Sequence, residues 1–272
     1  MTEWTKRIVP LLLIAVLIPV SGYGKSKPDQ VRIDMTRWYR KDHRECKGPT
    51  VMTIEDGSVH IVSEQSTGLF WQIPSLTDGP VILDPNVHTW LKKCERPPRS
   101  FNDDIQTAGF KDFIQVGDYP YMSWRWKVDY STIGEQKVRK SGMLEKKYDD
   151  FNGKIGISIL KKGSSTIREV AYVWSNTLPE SLMFMTETTI IPMVWKLKWR
   201  RFVVESGLEN AGRWVLESRN LYEDYKKGYP GEEPGKILRV YVMTDSDNTN
   251  AKAATWYSDI VFHKDEPGSR GG

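Results

Sequence analysis

The sequence predicts a mostly β fold, an antiparallel β-sandwich or jelly roll with one short helix. Three observations predict it. Apolar and polar residues alternate over short segments, Trp and Tyr are abundant at 11 and 12 of 272 residues, and no strand–helix–strand rhythm runs along the chain. Alternation with period two marks strands that bury one face. Aromatic side chains suit a pleated, half-buried surface, and a chain without βαβ units is not a helix-flanked parallel sheet. The length suits a single large sandwich, expected over residues 25–263.

The first element is a leader. Lys6 and Arg7 precede the apolar run at residues 8–20, and Gly22 and Gly24 follow as small residues for a signal peptidase. A membrane span needs about 20 apolar residues, and this run is shorter. A cleaved signal peptide over residues 1–24 is therefore expected, with an uncleaved anchor as the alternative. No Cys follows the run to carry a lipid. An exported chain, periplasmic or secreted, makes its two cysteines a candidate disulfide. Cys46 and Cys94 are the only pair, and a bridge between them would be worth about 4 kcal/mol in the chain-entropy model. Two buried free thiols are the other reading.

Residues 31–47 are polar and irregular, anchored by Trp38. Short strands follow at 51–54, 58–63 and 68–72, the first two joined by Asp56-Gly57, a hairpin dipeptide. Residues 75–117 are rich in Pro, Asp and Asn, and read as a long insertion loop. From Tyr121 the alternation is regular. Met122, Trp124, Trp126 and Val128 share one face, and Ser123, Arg125 and Lys127 the other. Ile155, Ile157 and Ile159, then Val170, Tyr172 and Trp174, then Trp195, Leu197 and Trp199 repeat the pattern, the last continuing past a bulge to 202–205. A strand at 214–218, a short helix at 220–227 and strands at 238–244 and 255–263 complete the domain. Residues 264–272 are a tail.

Charge excludes some functions. The net charge of +4 is interspersed along the chain, without the basic stripe of a nucleic-acid binder. Lys196, Lys198, Arg200 and Arg201 read as the solvated face of a strand, or else as a patch for anionic glycans or lipid headgroups. The four His stand at no zinc-ligand spacing with a Cys, and no Ser or Cys sits in a nucleophile motif.

The sharpest motif is an apolar strand running into Asp245-Ser-Asp247-Asn248-Thr249. Phosphatases of the haloacid-dehalogenase type begin so, but their chemistry needs a parallel α/β sheet with further Lys and acidic residues downstream. The remaining residues form one strand and a tail. The oxygen-rich turn also suits calcium at Asp245 and Asp247, outside an EF-hand frame, and equally a turn that caps its own backbone. Asp149-Asp150 precedes the Ile155 strand. Two carboxylates there could serve acid–base chemistry on a glycoside, yet neighbours on a strand point to opposite faces, so one of them capping a turn is the simpler expectation. Arg125 stands between two Trp residues and needs a carboxylate if its face is covered. Arg219 and Asp224 flank Tyr222 and could pair across a helical turn or line a cleft.

Several of these segments recur together. Ser123-Trp-Arg-Trp-Lys-Val128, Asp149-Asp-Phe151, Ala171-Tyr-Val-Trp174, Ser206-Gly207 with Gly212-Arg-Trp214, Arg219 with Asp224-Tyr225, and Thr244-Asp-Ser-Asp-Asn-Thr249 resemble, in this order, the bacterial family catalogued as domain of unknown function 3047. The resemblance covers roughly residues 31–262. Lys154 stands where an Arg is expected, and the 75–117 connection is longer than usual. What the resemblance implies is a periplasmic or outer-surface β-sandwich similar to carbohydrate-binding jelly rolls, with no assigned activity.

The leading expectation is a non-catalytic binding module for a cell-envelope glycan or glycoconjugate, with Arg125, Asp150, Trp174, Arg219, Asp224, Asp245 and Asp247 as candidate ligand contacts and no cofactor besides calcium. A glycan hydrolase or lyase, or a structural partner of envelope proteins, are the alternatives. No transmembrane helix is expected in the mature chain.

Overall fold

The computed structural model of the chain describes residues 27–36, 38–42, 50–72, 74, 113–191 and 195–268. The expected leader, Cys46, Cys94 and the 75–112 stretch lie outside them. In chain order the strands are β1 (Gln30–Arg32), β2 (Tyr39–Asp42), β3 (Val51–Glu55), β4 (Ser58–Glu64), β5 (Thr67–Gln72), β6 (Tyr121–Ser131), β7 (Phe151–Lys161), β8 (Ile167–Ser175), β9 (Met183–Ile191), β10 (Trp195–Ser206), β11 (Val215–Asn220), β12 (Pro234–Asp245) and β13 (Lys252–His263). Helix α1 (Leu221–Gly228) follows β11 directly.

The strands form two sheets, a mostly β sandwich as the alternation predicts. The smaller has the order β11-β6-β13-β4-β3, with β1 beside the end of β13, and the larger β2-β5-β12-β7-β8-β10-β9. Pairing is antiparallel except between β8 and β10. That parallel pair arises because β9 turns back at the sheet edge and β10 inserts between β9 and β8.

Side-chain alternation decides what lies between the sheets. From the smaller sheet come Met122, Trp124, Trp126, Val128, Val59, Ile61 and Tyr257; from the larger, Ile155, Ile157, Ile159, Val170, Tyr172, Trp174, Val240 and Val242, all without solvent exposure. Trp124 stacks on Tyr172 at 4.9 Å and 23°, and Trp126 meets Trp174 at 5.6 Å. Such pairs add to the area they bury about 0.5–1.5 kcal/mol each. At one end Tyr257 ties the sheets polarly, its hydroxyl donating to the Met243 carbonyl at 2.7 Å and accepting the Lys154 amide at 3.2 Å. Gly153 lets this end close, since a Cβ there would lie 3.2–3.3 Å from Tyr257, Thr255 and Trp126.

The structure also departs from the sequence expectations. β1 and β2 occupy the segment read as irregular, and β9 has no counterpart among the expected strands, because three or four residues, or a Thr-rich edge, carry little apolar periodicity. The end of the expected insertion is core: Ile114 and Val116 are fully buried, and the Ile237 amide donates to the Ile114 carbonyl at 2.8 Å. The helix starts at Leu221 because Asn220 caps it, accepting from the Glu223 amide at 3.0 Å. The bulge in β10 falls between Val203 and Glu205.

Trp124→Ala removes the stacking partner of Tyr172 at a site with no exposure, and should cost about 3–5 kcal/mol. In urea titration the midpoint should fall with the slope unchanged.

Candidate functional site

The sequence-predicted residues do not converge on one pocket. Asp150, Asp245 and Asp247 meet at one end of the larger sheet, Arg219 and Asp224 join β11 to α1, Trp174 is core, and Arg125 stands on the outer face of the smaller sheet.

At the acidic corner, one ligand oxygen from each of Asp150, Asp245 and Asp247 lies within 4.8 Å of the others, a spacing that could hold a metal ion. Two features compete with an ion. The Asp150 carboxylate already accepts from the Asn248 amide (3.0 Å) and side chain (3.2 Å), and from the Thr249 amide (2.7 Å) and hydroxyl (2.5 Å). Lys154 places its ammonium 3.6 Å from Asp245, both nearly sealed from solvent. The acidic turn is therefore capped by Asp150 from the segment before β7, and the tertiary partner of Asp245 is Lys154. Burial pushes the Asp245 carboxyl well up, Lys154 opposes it, and the neighbouring Asp149, Asp150 and Asp247 add to the rise.

The outer face of the larger sheet holds a second closed network. Arg201 was expected on a solvated face; it is buried at 3% exposure. Its guanidinium donates to Glu169 at 2.5 Å, Tyr241 donates to the same oxygen at 2.6 Å, and Arg239 lies 3.6 Å from the other. A surface cation becomes a buried one because Tyr241 lies flat across Gly156, where a Cβ would sit 1.9 Å from its ring. Burial pushes Glu169 up, but Arg201, Arg239 and the Tyr241 hydrogen bond outweigh it and hold the carboxyl below its ordinary range. A carboxylate so held is a poor proton donor.

On the edge of the smaller sheet, Arg219 grips Asp224 with two bonds of 3.0 and 2.8 Å, and the Tyr172 hydroxyl donates to Asp224 at 3.0 Å. The pair docks the start of α1 onto β8 and β11. Beside it, Glu217 faces inward from β11 with one oxygen buried and without a hydrogen-bond partner. Burial and then the Glu205 carboxylate push it up to about 8, while the nearby Trp126 indole and Arg219 pull it down. Trp126 Nε1 lies close without meeting hydrogen-bond geometry.

The open site is on the outer face of the smaller sheet. A groove of about 630 Å³ is lined by residues 55–58 of the β3–β4 hairpin and by Arg125, Lys127, Trp214, Trp256, Ser258 and Asp259. Strand register builds it. Lys127 pairs with Trp256, Trp256 with His60, and His60 with Thr53, so these side chains form one row across β6, β13, β4 and β3. Trp214 extends the row beside Lys127. The Lys127 ammonium lies 3.9 Å above Trp256 and 5.6 Å from Trp214, Arg125 lies 5.3 Å from Trp214, and His60 stacks on the far face of Trp256 at 3.8 Å. Burial outweighs Glu55 and pushes the His60 imidazole down, so it is neutral at pH 7. Trp214 keeps 38% of its surface in solvent. The sequence placed Arg125 and Lys127 together on this face; Trp214, Trp256 and the hairpin were missed, because cross-strand register brings them there.

The family model described as Protein of unknown function (DUF3047) matches residues 106–261. No curated protein matches the chain. Among solved structures, a loop-swap mutant of Necallimastix patriciarum Xyn11A is 10% identical over 88% of this chain and 97% of its own, with a TM-score of 0.36. The agarase AgWH50C is 5% identical over 87% and 24%, at 0.31. The xyloglucanase domain of NopAA, a type three effector from Sinorhizobium fredii, in complex with cellobiose, is 10% identical over 82% and 96%, at 0.28. Similarities of this size decide nothing about activity.

Two outcomes follow from the buried carboxylates. Asp150→Ala strips the acidic turn of four hydrogen bonds to a charged acceptor and should cost at least about 1.5–3 kcal/mol, the worth of one such bond; thermal unfolding with and without the substitution measures it. Glu217 binds its proton more tightly folded than unfolded, so stability should fall as pH rises from about 4.5 to about 8, where the ordinary and folded values bracket the loss. Glu217→Gln should make the decline shallower in urea titrations taken across the range, the Asp245 carboxyl, also pushed up, keeping its own share.

Proposed function

The chain belongs to the family described as Protein of unknown function (DUF3047), and from that premise we propose that it is exported and binds a glycan or glycoconjugate of the cell envelope without cleaving it. One observation carries the reading: the groove on the smaller sheet combines indole surface, donors and acceptors in the open. Sugar rings offer apolar faces to indoles and hydroxyls to charged groups, and such a mixed lining suits both. Arg125 and Lys127 are the donors; Ser258, Asp259 and Glu55 supply acceptors. A flat, open row across four strands admits an internal stretch of a polymer as readily as its end.

The carboxylates elsewhere support binding over hydrolysis. A glycosidase needs an acid and a second carboxylate on opposite sides of a reachable bond. Asp150, Asp224 and Glu169 are each occupied by hydrogen-bond donors from their own fold, and Glu217 faces the sandwich interior.

The test is retention of the purified chain on peptidoglycan sacculi and on a panel of soluble acidic and neutral polysaccharides in affinity electrophoresis. Trp214→Ala should weaken binding about tenfold or more, since truncating an aromatic that anchors a binding surface costs about 2 kcal/mol or more, and should leave thermal stability nearly unchanged. Wild-type binding by Trp214→Ala, or release of shortened products by the wild type, would overturn the proposal.

A further inference from the structure

Lys127 occupies the middle of the groove in an uncommon state. Its stem lies half-buried between Trp214 and Trp256, which orient the ammonium at 5.6 and 3.9 Å. Indole faces attract a cation, but they accept no conventional hydrogen bond and supply no opposite charge. Among the described residues no carboxylate lies within ion-pair distance of it, whereas its neighbours are engaged. Asp259 meets Arg32 at 2.6 Å and Arg125 at 3.9 Å, and Glu55 accepts from the Thr53 hydroxyl at 2.9 Å and faces His60 at 3.8 Å.

We propose that the groove selects glycans bearing a carboxylate, of the uronic acid class, and that the Lys127 ammonium receives that carboxylate while Trp214 contacts the sugar face. This rests on the glycan reading of the groove and names the chemistry it recognises. Three N–H donors held between two rings make a short, charge-assisted contact with a carboxylate at little conformational cost. Arg125, one alternate position along the same strand and face, stands to take a second oxygen or the neighbouring hydroxyl. Glu55 and Asp56 on the hairpin side of the groove keep the long-range field weak, so selection acts at contact distance.

The experiment uses the full chain and two forms of one backbone, polygalacturonate and its fully methyl-esterified polymer. A gain of one charge-assisted bond, about 1.5–3 kcal/mol, predicts that the acid form binds about 10- to 100-fold tighter by isothermal titration. Lys127→Met should weaken binding of the acid form far more than of the ester and so lose the preference, and Lys127→Arg should restore it; equal melting temperatures certify the fold. Equal wild-type affinity for acid and ester, or a preference that survives Lys127→Met, overturns the carboxylate inference and leaves the glycan reading standing. Binding of neither polymer by the wild type, together with no retention on sacculi, overturns both.

Discussion

The contact between the two sheets rests on aromatic rings, and most other features follow from it. Trp124 on Tyr172 and Trp126 against Trp174 fill the space between the inner faces, and the Ile, Val and Phe side chains around them complete an interior in which a bare charge is costly. Every charged side chain must therefore leave that interior, reach an edge, or bring its partners with it. β6 shows the sorting within one strand. Its even-numbered residues from Met122 to Val128 are sealed, while Arg125 and Lys127 emerge on the opposite face.

The charges that remain buried are held by the fold itself. Asp150 takes four donors from one turn, Glu169 gathers Arg201, Arg239 and Tyr241 from two strands on either side, and Asp224 takes Arg219 and Tyr172. Each set joins segments far apart in sequence. Removing one partner would strand the other without water, so each set ties together the strands that carry it. Asp245 is held less completely, with Lys154 3.6 Å away, one buried oxygen lacking a hydrogen-bond partner and its carboxyl pushed well up by burial. Glu217 differs, since it lacks a cation of its own at bonding distance and resolves its burial by keeping a proton.

The groove reverses this arrangement. Its cations are placed over indole faces, which orient them without satisfying their hydrogen-bonding capacity. A group with unused donors in partial solvent is poised for an outside acceptor, and a row of side chains fixed by strand register presents them at constant spacing. The proposed binding surface thus sits on the face that the core does not need.

Much of this was legible in the sequence. Alternation around Trp124 and Trp126 established the strand, its buried face and the outward course of Arg125 and Lys127, because period two is a property of the local backbone. The Asn220 helix start and the Asp56-Gly57 hairpin were equally local, each being a matter of a few bonds between near neighbours. What the sequence could not supply was register. Whether Lys127 lies beside Trp256, whether Arg201 faces water or Glu169, and whether the Asp245 turn is capped by itself or by Asp150 depend on which strands pair and by how many residues they are offset. A shift of one residue would turn every side chain of a strand to the other face. The tertiary structure alone decides that, because the pairing energy belongs to two segments 30 to 130 residues apart, such as Arg201 with Glu169 or Lys127 with Trp256, and to neither by itself.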